Sequence, residues 1–71
     1  MNRTRFTPRM GEIFKLTGTS AEYVCLKIAG KYNAYLQNTK TGWTFLANGI
    51  GYYTDGSIDW DFSTDGHFER R

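Results

Sequence analysis

An all-β fold is what this 71-residue sequence predicts: a small, single-domain SH3-like barrel or a strongly curved antiparallel meander of five to six short strands. Three observations point there. The turn Thr54-Asp55-Gly56-Ser57-Ile58 is written again ten residues on as Thr64-Asp65-Gly66-His67-Phe68, with the alternating run Ile58-Asp59-Trp60-Asp61-Phe62 between. Asp-Gly between alternating apolar residues signals a hairpin, and the two-residue type I′ turn is the form expected. Second, Glu22 to Ala29 and Tyr32 to Asn38 alternate at period two around Ala29-Gly30-Lys31, which predicts another hairpin. Third, nowhere do apolar residues recur at helical spacing over a helix-length window.

The elements follow in chain order. Residues 1–10 hold Arg3, Arg5, Arg9 and the only proline, Pro8, without periodicity, and read as a flexible basic arm that Phe6 and Met10 could tack down. Residues 11–71 form the barrel-like domain. Glu12 to Thr17 is the first strand, with Phe14 and Leu16 inward, and Gly18-Thr19-Ser20 ends it. In the second strand Val24, Leu26 and Ile28 face the core, with Tyr23, Cys25 and Lys27 opposite. In the third, Tyr32, Ala34 and Leu36 oppose Asn33, Tyr35 and Gln37. Thr39-Lys40-Thr41-Gly42 turns into a fourth strand, Trp43 to Ala47, with Trp43 and Phe45 on one side. Asn48-Gly49-Ile50-Gly51 reads as a bulge, a sharp corner or a short helical turn. Tyr52-Tyr53, then Ser57 to Phe62, then His67-Phe68 complete the meander, with Ile58, Trp60 and Phe62 inward and Asp59 and Asp61 in solvent.

A chain this short needs large side chains to build a core, and 17% of its residues are aromatic. The single cysteine cannot close an internal disulfide, and the first ten residues lack the apolar run of a signal peptide, so a cytoplasmic location is expected. No segment has the apolar length to span a bilayer. Net charge is +2, but residues 1–40 carry seven Lys or Arg against two Glu, while residues 41–71 carry two Arg against five acids. Antiparallel strands would bring these halves together as cross-strand pairs.

Chemistry is sparse. Asp55, Ser57, Asp59 and Asp61 fall at alternate positions, as in the opening of a calcium loop, but Trp60 and Gly66 stand where that loop needs glycine and a bidentate glutamate. One Cys and one His cannot build a zinc site. Cys25 reads as a small packing residue. No phosphate loop, nucleophile elbow or paired-carboxylate motif is present, so no cofactor is expected and the chain reads as a non-enzyme.

A binding module remains, with three versions. The first is a protein-interaction surface using Tyr35, Tyr52, Tyr53 and Asn48, since tyrosines make good interface anchors. In the second, Arg3, Arg5, Arg9, Lys27, Lys31 and Lys40 contact a nucleic-acid backbone while exposed tyrosines stack on bases. The third is self-association through a strand edge such as Tyr32 to Asn38, giving a monomer or weak homo-oligomer. A membrane partner is not expected. The stretch Gly51 to Ile58 looks like a unit of the choline-binding cell-wall repeats, but those modules need several copies and this chain has one.

From Arg9-Met10-Gly11-Glu12-Ile13-Phe14-Lys15-Leu16 through the Asp-Gly hairpins, the chain resembles small orphan proteins encoded on conjugative transposons and prophages of Gram-positive bacteria. The resemblance implies a cytosolic accessory protein of a mobile element, in contact with DNA, transfer machinery or a host defence protein. It carries over no functional residue.

Overall fold

A computed structural model describes residues 3–63 and 66–70; the Thr64-Asp65 half of the second Asp-Gly turn lies outside the described residues. Eight strands follow one another with no helix among the described residues: β1 (Thr4–Arg5), β2 (Ile13–Leu16), β3 (Glu22–Gly30), β4 (Asn33–Asn38), β5 (Thr44–Ala47), β6 (Gly51–Tyr52), β7 (Ile58–Asp59) and β8 (Phe68–Arg70). They form one antiparallel sheet in the order β1-β6-β7-β8-β2-β3-β4-β5, which is open, with β1 and β5 as its edges. The count exceeds the five or six strands expected. Two of the extra pieces are short segments, β1 and β6, which pair with each other through Thr4↔Tyr52 and Arg5↔Gly51.

Within the segment read as a basic arm, Thr4–Arg5 pair into the sheet as β1. Beyond the β1 pairing, Phe6 N donates to Ile50 O at 3.0 Å and the Phe6 ring packs against the core. Gly51 permits the approach: a Cβ there would lie 2.7 Å from Thr4 O and 2.8 Å from Arg3 Cβ, closer than real contacts allow. The segment 48–50 ties both halves of the sheet together. Ile50 N donates to Tyr32 O at 2.9 Å, Asp61 N to Asn48 O at 2.8 Å, and Gly49 N to Asn33 Oδ1 at 3.0 Å. The expected corner at Asn48 to Gly51 is therefore a three-way junction between β1, the start of β4 and the end of β7.

The core gathers Phe14, Tyr23, Cys25, Ala34, Leu36, Ala47, Ile50, Ile58, Trp60 and Phe68. Alternation works as expected in β2 and β4: Phe14 is fully buried with Leu16 packed beside it, and Ala34 and Leu36 turn inward while Tyr35 turns out. In β3 the faces are reversed. Tyr23 and Cys25 are buried, Val24 is half-buried and Leu26 is exposed, because the Tyr23 ring packs edge-on to Phe45 at 5.5 Å and to Phe68 at 5.2 Å. Apolar residues stand on both faces of this strand, so periodicity alone could not choose between them. A register shift between Cys25 and Lys27 then lets Ile28 rejoin the core side despite its opposite parity.

The first Asp-Gly turn also differs from expectation. Gly56 N donates to Tyr53 O at 2.9 Å and Tyr53 N to Ser57 O at 2.8 Å, with Gly56 at φ 87°. Asp55 does not share the positive φ that a type I′ turn requires. This is a three-residue hairpin loop, a turn over Thr54-Asp55 closed by a left-handed glycine. Both Ser57 N and Ser57 Oγ donate to Asp55 Oδ1, at 2.9 and 2.7 Å, which holds that carboxyl below the usual range.

Opposite charges from the two halves of the sequence meet across the sheet. Arg3 pairs with Asp61, Arg70 Nε approaches Glu12 Oε2 at 2.6 Å, and Lys15 Nζ approaches Glu69 Oε1 at 4.0 Å. Tyr32 to Asn38, considered above as a pairing edge, is not one: β4 is covered on both sides by β3 and β5.

Candidate functional site

The edge strand β5 borders a groove of about 300 Å³ whose far wall is the turn after β7. Its floor is aromatic. Phe45 lies 5.9 Å from Trp60 between ring centroids, and Tyr23 meets both rings edge-on at 5.5 and 6.4 Å. The walls are Trp43 and Leu46 on one side and Asp61, Phe62 and Ser63 on the other, with Asn48 at one end.

Local sequence explains why large apolar side chains stand exposed here. Asn38 Oδ1 accepts from Lys40 N and Thr41 N, and Gly42 N donates to Asn38 O, so the chain turns tightly and Trp43 emerges before strand pairing can cover it. Trp43 has the inward parity of Phe45 and Ala47, yet 71% of it is exposed. On the far wall β7 ends at Asp59, and Ser63 N donates to Trp60 O at 3.3 Å, closing a turn over Asp61-Phe62. Phe62, expected in the core, is 98% exposed with φ 64°. No other non-glycine among the described residues has positive φ, and for a bulky side chain that conformation is strained. The strain is not repaid by burial.

The rim is electrically quiet. Asp61 is held by the Arg3 guanidinium and has Arg5 Nη2 at 4.0 Å, while Asp59 accepts from Trp60 N at 2.9 Å and faces His67 Nε2 at 3.7 Å. The two acids of the run thus have separate partners, and the described residues contain no group of three or more metal-binding side chains. Ser63 Oγ is buried without a hydrogen-bond partner among the described residues, and leaving such a group unpaired costs about 1–3 kcal/mol.

Sequence reasoning found one rim residue, Asn48, and missed Trp43, Leu46 and Phe62. Tyr35 projects from the outer face beside Leu46, its register partner, and is half-exposed. Tyr52 and Tyr53 lie elsewhere. Tyr52 neighbours Phe6 at 5.9 Å and lines a separate cavity with Gly56, Ile58 and Arg70, while Tyr53 stacks on His67 at 4.9 Å. The available signal was positional, since Trp43 and Phe62 each sit at an element's end next to turn residues.

The six basic residues are dispersed. Arg3 is committed to Asp61 and to Gly49 O, and Arg5 lies on the edge strand β1. Arg9 lines a cavity with Met10, Glu12 and Arg70. Lys27 lies in β3 opposite Tyr35, Lys31 sits over the Tyr32 ring in the β3–β4 turn, and Lys40 is in the β4–β5 turn.

A superficial serine-histidine-aspartate arrangement runs through Ser57, His67 and Asp59, with His67 Nδ1 at 3.4 Å from Ser57 Oγ. The Ser57 hydroxyl is committed to Asp55, and the ring to Tyr53. Cys25 is enclosed in the core, where burial first and the charge of Glu12 second push its thiol up and keep it protonated. No long apolar helix able to cross a membrane occurs among the described residues. The chain matches no family model, no curated protein and no solved structure.

Proposed function

We propose that this chain is a small, SH3-like, non-enzymatic protein-interaction module, and that its docking face is the groove between Trp43, Leu46 and Phe62. One observation carries the reading: a phenylalanine held in a left-handed conformation with 98% of its surface in solvent. A glycine would serve the turn at lower cost, so the ring is retained for what it meets outside the fold. Trp43 and Leu46 stand across the same groove at 71% and 43% exposure, and a cluster of exposed aromatic and aliphatic side chains over a formed pocket is the anatomy of an interface core.

The working compartment we propose is the cytoplasm, consistent with one enclosed, reduced thiol. The biological setting, an accessory protein of a mobile element, rests on the sequence resemblance. The nucleic-acid alternative draws less support, because Arg3 is already neutralised and the remaining cations lie on separate elements.

The test is selection of displayed protein segments on the immobilised chain, followed by affinity measurement against Trp43→Ser and Leu46→Ser. Ligands should be recovered, and each substitution should weaken them at least ten-fold, about 1.4 kcal/mol. Failure to recover a ligand, or ligands indifferent to both changes, contradicts the assignment.

A further inference from the structure

From the same face, and resting on the reading of it as a docking surface, we infer that its occupant is a second copy of this chain, joined antiparallel along β5. The first ground is the backbone. β5 ends the sheet, paired only with β4 through Leu36↔Phe45 and Tyr35↔Leu46. Asn38 N donates to Trp43 O, and antiparallel ladders alternate, so the peptide groups of Phe45 and Ala47 turn toward β4. Those of Thr44 and Leu46 turn outward, leaving a row of donors and acceptors for another strand.

The second ground is charge. Natural edges are guarded by lysines, prolines, bulges or inward charges. The opposite edge of this sheet is so guarded, since β1 is two residues long, carries Arg5 and is preceded by Arg3. From Thr41 to Thr54 there is no charged residue and no proline. When two copies of β5 run antiparallel, nothing like-charged opposes itself, and the Lys40 end of each lies toward the Asn48 and Asp61 end of the other.

The third is shape and area. A two-fold interface must carry knob and hole on one surface, and here Trp43 and Phe62 project from the walls of the groove that could receive them. With aromatic side chains burying about 150–250 Å² each, the exposed parts of Trp43, Phe62 and Leu46 offer on the order of 450 Å² per copy. Two copies reach roughly 900 Å², in the range of weak, transient interfaces. The assembly is a weak, concentration-dependent dimer.

Sedimentation over a wide range of protein concentration tests this on the full chain. Wild type should pass from monomer to dimer, and Thr44→Lys, which places like charges on the pairing edge while leaving the β4 side intact, should weaken the dimer at least ten-fold. Leu46→Lys should do the same, and Thr4→Lys on the opposite edge should leave it unchanged, with folding of each variant checked by thermal denaturation. A dimer indifferent to both β5 substitutions overturns the edge pairing. A wild type that stays monomeric yet binds selected segments in a Trp43-dependent way overturns the second copy and leaves the docking face standing. A monomer that binds no segment overturns both.

Discussion

Phe68→Ala should remove about a third or more of the protein's stability at about 25 °C. The ring is fully buried, stacks on Trp60 at 4.4 Å and meets Tyr23 edge-on at 5.2 Å, so it joins the β8 strand to the floor of the groove. β8 is only three residues long and is the strand that joins β7 to β2 in the sheet, alongside the tie that segment 48–50 makes between the two halves. Removing a buried phenylalanine costs about 3–5 kcal/mol, partly as lost transfer energy and partly as the cavity left behind. A 71-residue domain has roughly 4–11 kcal/mol of stability in all. Denaturant titration should show a midpoint lowered in proportion to a loss of about 3–5 kcal/mol, with Phe68→Leu intermediate. A loss below about 1 kcal/mol would show that the aromatic cluster does not hold the halves together.

Gly51→Ala should release β1. The added methyl would stand 2.7 Å from Thr4 O and 2.8 Å from Arg3 Cβ, and the first of these is backbone that cannot swing aside. Overpacking of this kind costs about 1–3 kcal/mol, and the cheapest relief is for the two-residue strand to leave β6. Arg3 would lose its contacts to Asp61 and Gly49 O, and Phe6 its bond to Ile50 O. Hydrogen exchange should report faster exchange at the Phe6 amide while the amides of β3 and β4 stay protected. Unchanged protection at Phe6 with unchanged stability would mean that β1 docks without needing the glycine.

These two residues mark what could and could not be read from the sequence. Phe68 is placed in the last strand by the turn signal before it, and a segment as short as His67-Phe68 does not give its face. Ala34, Leu36, Ile58 and Trp60 are legible as core from alternation, and Phe14 is placed inward although its neighbour Ile13 is also apolar. β1 was illegible because Thr4-Arg5 has no pattern of its own and is a strand only through its partner β6. The faces of β3 were misread because Tyr23, Val24, Cys25 and Leu26 are all apolar enough for either side, and the largest ring won the core. The Asp-Gly pair announced a hairpin but not its type, since glycine supplies the left-handed residue in both the two-residue and the three-residue loop.

The candidate site was the least legible part. Phe62 carries the parity of the core residues Ile58 and Trp60, and alternation therefore assigns it inward, while Trp43 is placed on the side of Phe45 with no face chosen. Parity holds only while the chain stays extended: Trp43 precedes β5, which begins at Thr44, and Phe62 falls in the turn that Ser63 N closes on Trp60 O, one step after Trp60 has kept its inward place. At both places the chain turns, and the side chains are delivered to solvent around the groove.

In Phe62→Gly, stability and binding should move in opposite directions. Glycine removes the left-handed strain, about 1–2 kcal/mol for an L-residue less the extra freedom glycine gains when unfolded, so the thermal midpoint should rise by several degrees. Binding at the groove, by a selected segment or by a second copy, should fall at least ten-fold in the same protein. Phe62→Ala, which keeps the strain and loses the ring, should lose the binding without the gain in stability. A Phe62→Gly protein that melts earlier than wild type, or binds as well as wild type, would contradict the account.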